Sequence, residues 1–98
     1  MATFKEIINS EKPTLLDFHA TWCGPCKTLA PVLEDVKNEM KDSIRILKID
    51  VDKNPKVADR YKIRGVPTMI LFKKGEIVWR ESGAMDRRTL ISKIKPSI

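Results

Sequence analysis

Apolar positions in this chain switch between a helical and a strand period, and the switches mark its elements. Phe4, Ile7 and Ile8 fall on one helical stripe. Thr3 with Glu6 has the spacing of a capping box at its start, and Lys12-Pro13 breaks it. Residues 14–20, Thr-Leu-Leu-Asp-Phe-His-Ala, are short and mostly apolar, as for a strand covered on both faces. Leu29, Val32, Leu33, Val36 and Met40 then share one face of a long helix. Pro31 lies inside that stripe without shifting its phase, which predicts a kink rather than an end. Residues 44–49 read as a second strand, and strand, helix, strand implies a right-handed parallel crossover. Asn54-Pro55 predicts a helix start with Asn54 as cap, and Val57, Ala58 and Tyr61 face inward. Residues 68–72 form a strand, Lys73-Lys74-Gly75-Glu76 a hairpin turn, and residues 77–81 the returning strand. Gly83 predicts a bend or bulge. Asp86 caps a last helix carrying Leu90, Ile91 and Ile94, and Pro96 ends it. The order α, β, α, β, α, β, β, α describes an α/β unit, parallel first and antiparallel second.

The 98 residues suit a single domain over residues 1–98. With 42% hydrophobic and 33% charged residues, the chain supports a modest core and is not of the disordered class. It has no apolar run long enough to cross a membrane. No secretory signal pattern is visible, so the expected location is cytoplasmic. The net charge of +6 raises nucleic acid as a partner. The basic residues are scattered, however, with Lys73-Lys74 and Arg87-Arg88 the densest runs, and aromatics make up only 6%. A solvated surface with no nucleic-acid partner fits better; attraction to an acidic protein is a milder alternative. The default oligomeric state is a monomer.

The cysteines carry the chemistry. Cys23 and Cys26 lie in Trp22-Cys23-Gly24-Pro25-Cys26, between the first strand and the long helix. The first N–H groups of a helix lack intrahelical partners, and the positive end of its dipole is there. A thiolate is favoured at that end, which points to an activated Cys23. Cys26 is one turn on and reaches back to it. Three readings compete. A stabilising disulfide would close so short a loop that it adds only about 2 kcal/mol. A metal site could draw on His19, Cys23 and Cys26, but a closed zinc site needs a fourth ligand. A reversible dithiol/disulfide site fits the motif and its position best, with no bound metal or cofactor.

Beyond this motif the chain resembles the thioredoxin family over nearly its whole length. Trp22-Cys23-Gly24-Pro25-Cys26-Lys27, Asp17 six residues before Cys23, Pro31, Lys48, Gly65-Val66-Pro67-Thr68 and Gly83 all match in order and spacing. The resemblance implies a thioredoxin fold with a central mixed sheet and four flanking helices. It implies a protein disulfide reductase, an electron carrier in cell redox homeostasis, with Cys23 as nucleophile and Cys26 as resolving thiol. Val66-Pro67 would be a cis peptide bond, exposing the Val66 backbone to an extended substrate. Trp22, Gly24, Pro25 and Gly83 would border the same groove, Trp22 being either a packing residue or an exposed contact. Trp79, in the last strand, reads as core packing. Electrons would come from NADPH through a thioredoxin reductase, and the partners would be that reductase and disulfide-containing proteins.

Asp17 has a physical reading of its own. A carboxyl in a covered strand is costly to hold charged. Burial raises its pKa and a nearby cation lowers it. Lys48, on the adjacent parallel strand, is the expected partner. The family role is proton acceptor for Cys26; the alternative is a structural carboxyl.

Three departures from the family stand out. His19 occupies a position where thioredoxins typically carry tryptophan, on the strand face shared by Leu15 and Asp17. It is either a half-buried hydrogen-bonded histidine or a modulator of the site, with Asp52 the partner that family geometry suggests. Thr21 replaces an acidic residue. Only Met1-Ala2 precede Thr3, so the family's first strand is short or missing and the expected sheet has four strands. Two other functions are weighed: a weak oxidase or isomerase tuned by His19, and a binding module in which redox chemistry is secondary.

Overall fold

A computed structural model describes residues 3–98. Helix α1 (Phe4–Ile8) is started by Thr3, whose hydroxyl accepts from the Glu6 N–H while the Glu6 carboxylate accepts from the Thr3 N–H. It is followed by β1 (Thr14–His19), α2 (Gly24–Met40), β2 (Arg45–Asp50) and α3 (Pro55–Arg60). The second half holds β3 (Thr68–Lys73), β4 (Glu76–Ser82) and α4 (Arg87–Ile94). Short 3-10 turns follow α2 and α4, the second running through Pro96 rather than stopping before it.

The four strands form one mixed sheet in the order β2-β1-β3-β4. β1 pairs parallel with β2 and antiparallel with β3, and β3 pairs antiparallel with β4. The sheet therefore has the predicted strand count and neighbours. A strand pairing by residues 1 and 2 lies outside the described residues.

Side-chain alternation splits the core into two layers. Leu15, Met69 and Leu71 face α2 and α4, where Leu29, Leu33, Val36, Leu90 and Ile94 complete one cluster. Leu16, Phe18, Ile70 and Phe72 face α1 and α3 and pack with Ile8, Phe4, Val57 and Tyr61. Because β1 and β3 are covered on both sides, nearly every residue in them is buried, and neither shows the alternation of a half-exposed strand. Pro31 sits inside an unbroken α2, as its in-phase stripe requires.

One local expectation is corrected. Asn54 precedes Pro55 at the start of α3, but its side chain does not cap the helix. Its amide donates instead to the Asp50 carbonyl at 3.0 Å, within a turn where the Asp50 carboxylate accepts from the N–H groups of Asp52 and Lys53. Gly83 is the bend its position predicts, while the sheet's bulge lies at Val78, between Leu71↔Trp79 and Phe72↔Ile77. Gly83 follows the end of β4 at φ +95, a conformation that favours glycine.

The β3–β4 turn is closed by Lys74 and Gly75, both with positive φ, as a two-residue turn of the mirror-image type. Its N–H groups donate outward: Lys74 to the Ser10 carbonyl at 3.0 Å and Gly75 to the Ile8 carbonyl at 2.9 Å. The hairpin thus takes up carbonyls that α1 leaves free when it ends.

Candidate active site

Strand β1 ends at His19, and the chain turns through Ala20–Trp22 into α2. Cys23 is the N-cap of that helix, and Pro25 lies in its first turn, where a missing N–H costs nothing. The Cys23 sulfur accepts from the Cys26 N–H at 3.1 Å. A sulfur thus satisfies one of the free donors at the helix start. Cys23 and Cys26 are joined in a disulfide, their Cα atoms 5.3 Å apart. Cys23 is only 3% exposed.

The loop before β3 closes over the disulfide. The Val66–Pro67 peptide bond is cis, and the Val66 carbonyl oxygen lies 3.5 Å from the Cys23 sulfur. This loop is held from both sides. The Thr68 hydroxyl donates to the Gly65 carbonyl at 2.7 Å and lies 3.2 Å from the Ser82 hydroxyl. The Gly83 N–H donates to the Pro67 carbonyl at 2.8 Å. Next to it, Trp22, Val51, Ile63, Arg64, Gly65 and Val66 line a shallow depression. Trp22 is 69% exposed, which decides against a packing residue.

On the other side of the disulfide a cavity of about 370 Å³ is lined by Asp17, His19, Ala20, Thr21, Cys26, Lys27, Ala30 and Lys48. Asp17 is 4% exposed, and its Oδ1 has no hydrogen-bond partner. Burial pushes the Asp17 carboxyl above its ordinary value, and the charges of His19 and then Lys48 act against that rise. Lys48 is the register partner of Asp17. The two form no ion pair, however; among the described residues the salt bridges are Arg87–Glu39 and Lys93–Glu81. Lys48 is an exposed residue, and an ammonium on a long stem stays hydrated where it can.

The thioredoxin family model matches residues 1–96. This chain belongs to the thioredoxin family. It is 47% identical over 92 residues to "Thioredoxin Y1, chloroplastic" of Arabidopsis thaliana, covering 94% of this chain but 54% of that protein. The chain thus spans about half the length of that relative. It is 40% identical over 94 residues to a thioredoxin of Rickettsia felis, covering 96% of this chain and 90% of that one. Among solved structures, a mutant thioredoxin from Halobacterium salinarum NRC-1 superposes with a TM-score of 0.86 at 38% identity, covering 95% of this chain and 80% of its own. Thioredoxins are thiol–disulfide oxidoreductases, and the paired cysteines here fit the two-cysteine site of that family.

In this chain, the residues singled out from sequence fall into two groups around the disulfide. Trp22, Val66, Pro67 and Gly83 lie on the loop side, and Asp17, His19 and Lys48 on the cavity side. Gly24 and Pro25 form the exposed first turn of α2 above the sulfurs. The pairing of His19 with Asp52 is not found. The Asp52 carboxylate accepts from the Trp22 indole N–H at 2.9 Å, while His19 lines the Asp17 cavity, as strand alternation requires. Trp79 packs against the α2–α4 core, its indole N–H donating to the Lys93 carbonyl at 2.9 Å. The sequence pattern singles out Lys27 only as part of the motif and gives no sign of Arg64 or Ile63. Lys27 directly follows Cys26, but only the folded loop brings Ile63 and Arg64 beside Trp22.

Proposed function

We propose that this protein is a protein disulfide reductase, with Cys23 as nucleophile and Cys26 as resolving thiol. The observation that carries the reading is the Cys23–Cys26 disulfide at the N-terminus of α2, against the Val66–Pro67 loop. In the reduced protein, the helix start and the Cys26 N–H stabilise a Cys23 thiolate. That thiolate attacks one sulfur of a substrate disulfide; a mixed disulfide forms and the other substrate sulfur leaves as a thiolate. Cys26 then gives up its proton and attacks the Cys23 sulfur. The Cys23–Cys26 bond forms, the second substrate thiolate leaves, and two electrons have passed to the substrate.

Asp17 is the proton acceptor for Cys26 in this reading, and Lys48 tempers its charge. The Val66 backbone pairs with an extended substrate strand. Trp22 supplies apolar contact, with Gly24, Pro25, Pro67 and Gly83 shaping the groove. A thioredoxin reductase drawing on NADPH returns the electrons, and the partners are disulfide-bonded proteins.

The test is a pair of cysteine variants with a model protein disulfide. Cys26→Ser should accumulate a mixed disulfide through Cys23, and Cys23→Ser should form none. The reduction potential should lie near about −270 mV, a figure for which thioredoxin is itself the reference case. A value above about −200 mV would move the protein to an oxidase or isomerase role. Full biological activity of the Cys23→Ser, Cys26→Ser double variant would make it a binding module instead.

A further inference from the structure

Asp17 and His19 share one face of β1, two residues apart, and line the same cavity as Cys26. Asp17 Oδ1 is buried without a hydrogen-bond partner, and Lys48, its expected ion partner, makes no salt bridge with it. The carboxylate therefore has no direct cationic contact, while an imidazole stands in its cavity. His19 itself is unclaimed: Asp52 is held by Trp22.

We propose that His19 is a positioning residue for the resolving half-reaction, its imidazolium holding the Asp17 carboxylate ionised to receive the Cys26 proton. The inference rests on the reductase reading above and adds to it the group that sets the pH range of the step. Histidine is the side-chain type whose charge changes near neutral pH. When His19 carries a proton, its charge opposes protonation of Asp17, in the direction that burial does not. The base is then available at lower pH than burial alone would allow. Cys26 loses its proton to Asp17, its sulfur attacks the Cys23 sulfur of the mixed disulfide, the Cys23–substrate bond breaks and the substrate sulfur leaves as a thiolate, and the proton passes through the cavity to solvent.

The charged and titratable groups around His19 come from each element packed there. β1 supplies Asp17; β2 supplies Lys48 and the register partner Asp50; α2 supplies Cys26 and Lys27. Opposite Asp17 and Phe18, β3 presents Met69 and Thr68, which are uncharged. Asp50 Oδ1 accepts from the N–H groups of Asp52 and Lys53, and Asp50 does not line the cavity. Asp17 is the acid in that cavity without a partner.

Two measurements test this on the full chain. First, the Asp17 carboxyl carbon is followed by NMR titration in wild type, His19→Gln and His19→Lys. The midpoint should rise in His19→Gln and return toward or below the wild-type value in His19→Lys. A midpoint unmoved by His19→Gln, or moved equally by both variants, overturns the proposal, because a packing role would not distinguish charge from shape. Second, reduced protein is mixed with a model protein disulfide, quenched in acid and alkylated, which separates mixed from closed disulfide. His19→Gln should slow closure about twofold or more at pH 6 and less at pH 8.5. Placed in an Asp17→Asn background, it should add no further shift to the pH profile. Absence of a trapped mixed disulfide in a Cys26→Ser variant run in parallel would overturn the reductase reading and with it this role in resolution. Working exchange with an unmoved carboxyl titration would overturn the His19 inference alone.

Discussion

Replacing Asp17 by asparagine should stabilise the protein at pH 8. The side chain is buried in the middle of β1, and one carboxylate oxygen has no partner. A buried polar atom left unsatisfied costs about 1–3 kcal/mol, and more if it is charged. Asparagine has the same shape and leaves a polar atom unsatisfied too, so the gain is only the charged excess, about 1 kcal/mol or more. For a chain of 98 residues, each 1 kcal/mol moves Tm by about 4–8 °C. The gain should also depend on pH. The carboxyl titrates at its ordinary value of 3.8 when unfolded and higher when folded. Between those two values the folded state holds a proton that the unfolded state has released, so wild-type stability falls as pH rises through the window. The difference between Asp17→Asn and wild type should therefore be full above the folded value, shrink on acidification, and vanish below 3.8. Other carboxylates titrate alike in both proteins and cancel. Guanidinium unfolding of the oxidised proteins at pH 8, 6 and 3.5 measures it. A variant less stable than wild type at pH 8, or a gain that grows toward pH 3.5, would refute the reasoning. The expected result is a protein more stable and slower to resolve its mixed disulfide, as when a site holds a charge the fold does not favour.

Two further outcomes follow from the structure. Gly75→Ala should destabilise by about 1–2 kcal/mol in chemical unfolding, because φ +82 disfavours an L side chain. Its new Cβ would fall 2.1 Å from Asn9 Oδ1, but that exposed amide can swing away, so the φ strain sets the cost. Asp86→Ala should lower Tm at pH 7, since the carboxylate accepts from the Thr89 N–H at 2.7 Å. That backbone hydrogen bond holds the Asp86 carboxyl below 3.8, so its contribution is present above 3.8 and is lost as pH falls through the folded value. A Tm difference that persisted in strong acid would contradict this.

The elements were legible because each has a single dominant period and clear punctuation. Leu29, Leu33, Val36 and Met40 announced α2 across Pro31. The Lys74-Gly75 pair announced a hairpin. Asn54 misled because its side chain had a competing acceptor, the Asp50 carbonyl, that only the turn supplies. The bulge at Val78 was invisible because both sides of β4 are largely exposed, and alternation carries little signal there.

What the sequence determined by itself is local: which residues form strands and helices, that two cysteines one turn apart begin a helix, and that Asp17 and His19 share a strand face. These depend on backbone period and on chain neighbours three or four residues away. Only the tertiary structure decided the pairings across the site. Asp52 went to Trp22 and not to His19, Lys48 reached the register position of Asp17 without an ion pair, and Arg64 and Ile63 came beside Trp22. These outcomes compare partners from different elements. A hydrogen bond or ion pair forms with whichever group the packed backbone brings within about 3 Å, unless water holds that group better. Spacing along the chain contains no such distance.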